Sequence, residues 1–477
     1  MVNFIAVDLT LLALFIISIS VFLYKKRKSL VQEGWLVLYK TKWGVKLIDT
    51  IGKKYKKTLK VFSYIAIGLA YVLMLGIFMM LIQSVYLYFT SPLVKTITGP
   101  PIAPLIPYFP TLFGYENFFP PFYFVYFIIT ILIVITVHEF SHGIFARRYK
   151  IKIKSTGFAF LKYFPAIFGA FVEQDERQMN KKKNIEQMAV LSTGAFANII
   201  AAIVFYIILF YFFTSAYTAS GVIFDTYSYV AVNVSAISSI NGVSVTNYGD
   251  LLNYSFENES KLNTIAISGV NYIATKSMLE QQANNTGIII LYYDSPAIDS
   301  AIGNTINEID GIKINSIEKL SQELSKYPPG TKIELKTTES DGEKYYNITL
   351  GENPENKSKA WLGIGFYNEN SENLNLLGKI LLLFPSYKES HVYYTPKNEF
   401  VSFIKDLLWW VVIINLLVGL FNMLPLGILD GGRFFYLTVL SITKSEKSAK
   451  KSFSLITYFI AALFLLLIIR WIFLKIL

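Results

Sequence analysis

Six long apolar runs punctuate the chain, near residues 4–24, 62–89, 122–146, 187–213, 401–424 and 453–474. Each is long enough to carry a helix across about 30 Å of hydrocarbon, so the pattern predicts six spanning helices. Residues 214–400 break this rhythm with short apolar segments set between turn residues, the signature of strands and small helices. The fold class expected is therefore a polytopic α-helical membrane protein carrying an α+β region between its fourth and fifth spans.

Composition agrees. Hydrophobic residues make up 53% of the 477 residues, charged residues 16%, and mean hydropathy is +0.44, well outside the range of a soluble chain. The net charge of +11 does not point to nucleic acid, because Lys and Arg cluster in short runs beside the spans: 25–28, 53–60, 147–150 and 181–183. Such runs mark the cytoplasmic face. The first span is followed, not preceded, by its basic cluster, so it reads as an anchor rather than a cleavable signal peptide. Its N-terminus is placed outside, and alternation then puts every basic cluster, including Lys444–Lys451, inside. The C-terminus and residues 214–400 fall outside. Six Asn-x-Ser/Thr sequons occur, all within that outside region. There are no cysteines, which excludes disulfides and thiolate metal sites.

Within the outside region, ISSINGVSVTNYGDL at 237–251 recurs as INEIDGIKINSIEKL at 306–320, the mark of a tandem duplication. The second copy, 287–366, runs strand, SPA, strand–turn–strand around Asp310-Gly311, helix, PGT and return strand, an order that resembles a PDZ domain. The first copy, 214–286, lacks the SPA and PGT marks, and whether it is a second such domain stays open. Residues 367–400, including LNLLGKILLLFP, read as a linker or an interfacial segment.

The chemistry concentrates in the third span. Two of only three histidines, His138 and His142, stand four apart around Glu139 in HEFSH. On a helix that spacing puts both imidazoles on one face, able to reach one metal ion, and leaves Glu139 free to handle a proton. Zinc held this way needs a third protein ligand and keeps its fourth position for water. His391 lies in the outside segment, out of reach of a site near the inner surface. Carboxylates within apolar spans are costly and usually functional, which directs attention to Asp430 in NMLPLGILDGGRFF. There Pro425, Gly427, Gly431 and Gly432 interrupt the helical pattern, and irregular backbone at membrane depth is tolerated only inside protein or beside a wet cavity. Asp430 and His142 lie three and five residues before Arg433 and Arg147, at matching shallow depths.

HEFSHG followed by ARR, the pattern Asn-x-x-Pro-x-x-x-x-Asp-Gly from Asn422 to Gly431, and the PDZ-like insert between them resemble the site-2 protease family of intramembrane zinc metalloproteases. The resemblance covers residues 121–476 and leaves 1–120 as an added pair of helices. It implies a catalytic core in two parts, 121–213 and 401–477. It further implies that His138, His142 and Asp430 bind one zinc ion, that Glu139 activates the zinc-bound water, and that Asn422 orients substrate or meets the oxyanion. STGAFAN at 192–198 resembles a Gly-x-x-x-Asn element near the family's active site, which makes Asn198 a candidate substrate contact. Residues 155–174, broken by Gly157, Pro165 and Gly169, resemble its membrane-embedded β-hairpin, whose edge could hold an unwound substrate. The expected partners are single-span membrane-protein substrates, a peptide or protein ligand of the PDZ-like region and the lipid bilayer, with no nucleic acid. The competing reading is a membrane-anchored PDZ-like peptide-binding scaffold that keeps zinc structurally and has no protease activity.

Overall fold

The computed structural model describes residues 4–91, 94, 99–163, 168–245, 250, 254, 261–281, 288–339, 341–367 and 387–476. The chain divides into two compact units, a helical one containing Met1–Phe213 and Asn398–Leu477, and a second containing Thr214–Leu374 and Pro385–Lys397.

Six helices of the first unit are long and apolar enough to cross a membrane: Phe4–Lys26, Lys56–Thr90, Phe124–Arg148, Asn184–Ala216, Glu399–Phe421 and Glu446–Ile476. The chain is a multi-pass membrane protein. Several of these helices outrun their apolar stretch because polar first and last turns continue the helix beyond the hydrocarbon, as at Lys56–Lys60 and Glu446–Lys451.

The first two spans are more than an added pair. Asp8, a carboxylate in the middle of apolar sequence, is fully buried. Its Oδ2 accepts from Phe124 N at 2.8 Å and from the Tyr108 hydroxyl, and its Oδ1 accepts from Val125 N at 3.0 Å. It thus caps the HEFSH helix from a neighbouring span, meeting backbone donors that no helix satisfies for itself. Asp8→Ala strands two backbone donors and a hydroxyl, at an expected cost of about 2 kcal/mol or more. Thermal unfolding in detergent should show a midpoint several degrees lower, with Asp8→Asn closer to wild type; an unchanged midpoint for Asp8→Ala would contradict the capping role.

The loop between these spans contributes structure as well. Strands β1 (Leu30–Glu33) and β2 (Leu36–Thr41) join β3 (Ile153–Leu161) and β4 (Phe168–Gln174) in an antiparallel sheet of order β1-β2-β3-β4. The hairpin expected at 155–174 is therefore half of a larger sheet, its turn at 164–167 lying outside the described residues. Gly157 is needed in β3 because a Cβ there would lie 2.0 Å from Tyr39 O across the β2 pairing. After β2, helix Val45–Lys54 buries Ile48 and Gly52 against the third span.

Among the described residues, the second unit holds two short strand pairs, Gly351–Glu352 with Ala360–Trp361 and Thr226–Tyr227 with Ile364–Gly365, and two large antiparallel sheets. One orders Tyr229–Asn233, Ile288–Tyr293, Val270–Ala274, Asn263–Ile267, Ile237–Ile240 and Val243–Ser244; the other orders Gly342–Thr349, Lys332–Glu339, Thr305–Ile309, Tyr217–Ile223 and Val392–Pro396. The duplicated stretch folds alike in both. Asn241-Gly242 and Asp310-Gly311 have φ of 48° and 82°, and of 47° and 76°, the paired positive values of a two-residue hairpin turn. Each polar side chain accepts from the neighbouring strand, Asn241 from Thr264 N and Asp310 from Glu334 N.

Strand pairing crosses the boundaries expected for the two copies. Ile288–Tyr293, read as opening the second copy, pairs with Tyr229–Asn233 and Val270–Ala274. Tyr217–Ile223, assigned to the first copy, instead pairs with Thr305–Ile309. Residues 392–396, read as linker, add an edge strand to Tyr217–Ile223. The cores explain the exchange: Ile289 and Leu291 bury with Ile240 and Ile265, whereas Val222 buries with Ile306 and Ile333. LNLLGKILLLFP lies outside the described residues.

Candidate metal centre

The third span brings His138 and His142 to one face, their rings T-shaped with centroids 4.7 Å apart. The fifth span ends at Asn422, and the chain turns through Pro425 to Leu429 before a new helix, Asp430–Thr443, begins at the carboxylate itself. Glycines make this turn feasible. A Cβ at Gly431 would lie 2.4 Å from Met423 O, and one at Gly432 would lie 2.1 Å from Leu426 O. Gly431 N donates to Asn422 O at 2.8 Å and closes the loop. Arg433 ties the new helix to Glu176, Asn180 and Gln187.

Asp430 Oδ2 consequently lies 3.2 Å from His138 Nε2 and 3.1 Å from His142 Nε2, and the two nitrogens are 3.1 Å apart. Ligand atoms about 2.0–2.1 Å from a tetrahedral ion sit roughly 3.3 Å from one another, so this triangle has the dimensions of one face of a coordination shell. Among the described residues, these three form the only group of His, Asp or Glu gathered closely enough to hold a metal ion.

The surroundings fix the histidines in the required form. His142 Nδ1 lies 2.8 Å from Val190 O, which can only accept, so Nδ1 carries the proton and Nε2 is left with its lone pair. His138 Nδ1 lies 3.2 Å from the Asn198 amide, and Asn198 Oδ1 is buried without a partner. Turning that amide over presents Oδ1 to an Nδ1–H and satisfies both groups, again freeing Nε2. Asn198, expected from the sequence to touch substrate, is fully buried beside His138.

The fourth span comes so close because of Gly194. A Cβ there would lie 2.4 Å from both His138 Cε1 and His142 Nε2. In the sequence this glycine opens the Gly-x-x-x-Asn element; in the fold its neighbours are the two imidazoles.

Glu139 lies outside the His138–His142–Asp430 group. Its Oε2 accepts from Val172 N at 3.0 Å. Strand β4 is the edge of its sheet, and Val172 pairs with Thr156 of β3, so this amide projects from the outer side of the edge. Two residues away, Ala170 has the same outward orientation. The carboxylate thus sits beside a strand edge that no further strand pairs with among the described residues. Asn422 is half-buried at the end of its helix, and its side-chain amide makes no hydrogen bond among the described residues. His391 pairs with Asp225 at 3.3 Å within the second unit.

A model of peptidase family M50 matches residues 126–468, a range that includes every residue of this constellation. The chain belongs to peptidase family M50. That family comprises the site-2 proteases, zinc metalloproteases of membranes. A relative from Methanocaldococcus jannaschii, the uncharacterized protein MJ0971, is 33% identical over 192 residues, 39% of this chain. The match spans 46% of that protein, a little under half its length. M50 membership accounts for both parts of the spanning core, which the insert separates in sequence.

Proposed function

We propose that this M50 chain is an intramembrane zinc endopeptidase. It hydrolyses peptide bonds in or near the spanning segment of single-span membrane proteins, close to their cytoplasmic end. The observation that carries the reading is Glu139 beside both a three-ligand triangle and a strand edge that no further strand pairs with among the described residues. His138, His142 and Asp430 would hold the zinc ion. When bound, zinc acts as a Lewis acid and lowers the pKa of water from about 15.7 toward 7. Glu139 takes a proton at Oε2 and returns it to the leaving amine. Asn422 offers an amide donor to the developing oxyanion. Asn198 and Val190 O keep the two imidazoles in their working tautomers, and Asn198 is a positioning residue.

A transmembrane helix hides its peptide bonds in its own hydrogen bonding, so cleavage requires local unwinding. The outward amides and carbonyls of β4 re-satisfy the freed backbone by strand addition. The basic loops face the cytoplasm and residues 214–400 face outward, where the PDZ-like region filters substrates or docks a partner. A cleft of about 460 Å³ between helix Ile317–Leu324 and the segment 358–366, lined by Leu320, Leu324, Trp361 and Ile364, supports an extended peptide as its ligand.

The test is cleavage of a single-span substrate in vesicles, with chelation and zinc readdition. Chelation should abolish cleavage and zinc should restore it. Ala170→Pro, which removes an outward edge donor without touching the β3 pairing, should slow cleavage about tenfold. Chelator-resistant cleavage would refute the zinc mechanism, and full activity in Ala170→Pro would refute strand addition.

A further inference from the structure

The helix Val45–Lys54 between the first two spans has three distinct faces. Val45, Ile48 and Gly52 turn toward the third span, with Ile48 and Gly52 buried. Lys46 and Lys53 line a second face. Leu47 lies on a third, 54% exposed, just after Trp43 at 78%. Lys42, Lys46 and Lys53, together with Val45, Asp49 and Thr50, line an open cleft of about 460 Å³. All three lysines are exposed. Asp49, the cleft's one carboxylate, is occupied from behind by Arg147, whose Nη2 donates to Oδ2 at 3.2 Å, and from the side by Lys53 at 3.2 Å. The cleft therefore keeps a net positive charge. Its helix is followed after one residue by the second span, Lys56–Thr90, so the cleft sits at the boundary between a membrane and water.

Three exposed ammonium groups around a cavity of headgroup size, beside an exposed tryptophan and leucine at a membrane boundary, form an amphipathic interfacial site. We propose that this cleft binds the phosphate of an anionic lipid headgroup, with Trp43 and Leu47 entering the acyl boundary beside it. The consequence reaches the metal centre through packing alone. A Cβ at Gly143, the residue after His142, would lie 3.0 Å from Ile48 Cδ1, and one at Gly52 would lie 2.6 Å from Arg147 Cβ. Gly44 packs equally closely on Phe140, next to Glu139. A lipid that fixes this helix therefore steadies the HEFSH segment it lies against. The lipid assignment stands on the cleft itself; its effect on turnover rests on the function proposed above.

The test uses the full chain in phosphocholine vesicles, with tryptophan quenching by brominated phosphoglycerol lipid compared with brominated phosphocholine. Trp43→Phe identifies the share of quenching that arises at the cleft. Wild type should prefer the anionic lipid about a hundredfold, given about fivefold in local affinity for each of the three lysines near the surface. Lys42→Gln/Lys46→Gln/Lys53→Gln should abolish that preference, whereas Lys25→Gln/Lys26→Gln/Lys28→Gln, an equal charge change in the same loop, should keep it. Equal loss in both triple variants would mean general surface electrostatics and would overturn the site. An unchanged preference in the first triple would also overturn it. Displacement of the lipid by millimolar inorganic phosphate would show a soluble-anion site and defeat the lipid assignment. Because quenching reads binding directly, these outcomes are independent of whether the chain cleaves anything.

Discussion

Replacing Glu139 by Gln should reduce cleavage of a single-span substrate by about a thousandfold while leaving zinc content and thermal stability close to wild type. Gln is nearly isosteric, and its carbonyl oxygen can still accept from Val172 N, the bond Glu139 makes at 3.0 Å. The contact between the third span and β4 is therefore retained. What Gln cannot do is take and return a proton, a role that contributes about 10²–10⁴-fold in rate. The ligand triangle is untouched, since Glu139 contributes no atom to it. Initial rates in vesicles, paired with metal analysis of the same preparation, separate the two effects. Rates within threefold of wild type would remove Glu139 from the mechanism. If wild type itself failed to cleave any substrate while holding zinc, the scaffold reading would be favoured instead.

A single methyl group at position 194 should be nearly as damaging, by a different route. In Gly194→Ala the new Cβ falls 2.4 Å from His138 Cε1 and His142 Nε2, inside van der Waals contact by more than 1 Å. The fourth span must move away or the rings must turn, and either displaces the Nε2 atoms from the triangle. Zinc occupancy should fall together with activity, by about a hundredfold or more, since even outer-shell changes cost 10–100-fold. Overpacking of this size also costs about 1–3 kcal/mol of stability. Gly68→Ala and Gly76→Ala in the second span provide the comparison, because a Cβ at either position meets nothing within 4 Å. Those variants should bind zinc and cleave normally. Full zinc occupancy in Gly194→Ala would show that the approach of the fourth span is looser than its geometry implies.

These two sites differ in how visible they are from sequence. HEFSH is a local pattern: helical periodicity alone puts its histidines on one face, and scarcity makes the pair conspicuous. Asp430 is 288 residues beyond His142, yet it could be singled out because carboxylates at membrane depth are rare and glycines break the helix around it. Gly194 gave a weaker signal, as the glycine of a Gly-x-x-x-Asn element. A glycine in a span usually means close packing, and sequence does not say against what. Asn198 shows the same ambiguity: the sequence offers it as a candidate substrate contact, and only the fold shows it buried beside His138.

The N-terminal region shows the same limit on a larger scale. Its two spans were plain from apolar length, but the role of Asp8 depends on which helix N-terminus lies beside it. Strands β1 and β2 were hidden because each is short and gains its stability only by pairing, the outer with the inner and the inner with β3. The exchanged strands of the second unit follow the same rule. Ile288–Tyr293 and Tyr217–Ile223 are both short apolar strands, and nothing local tells one sheet from another; burial with Ile240 or with Ile306 decides it.

Features governed by local physics could thus be read from the residues alone: six spans from the thickness of hydrocarbon, the duplicated hairpin from its turn residues, and a metal-binding pair from helical spacing. Features that depend on which distant surfaces meet came only with the folded chain. Folding closed the triangle at Asp430, set Glu139 against the edge of β4, pressed Gly194 onto the imidazoles and sorted strands between two sheets. The reason is that periodicity and apolar length are encoded residue by residue, whereas contact between remote elements follows from the packing of the whole chain.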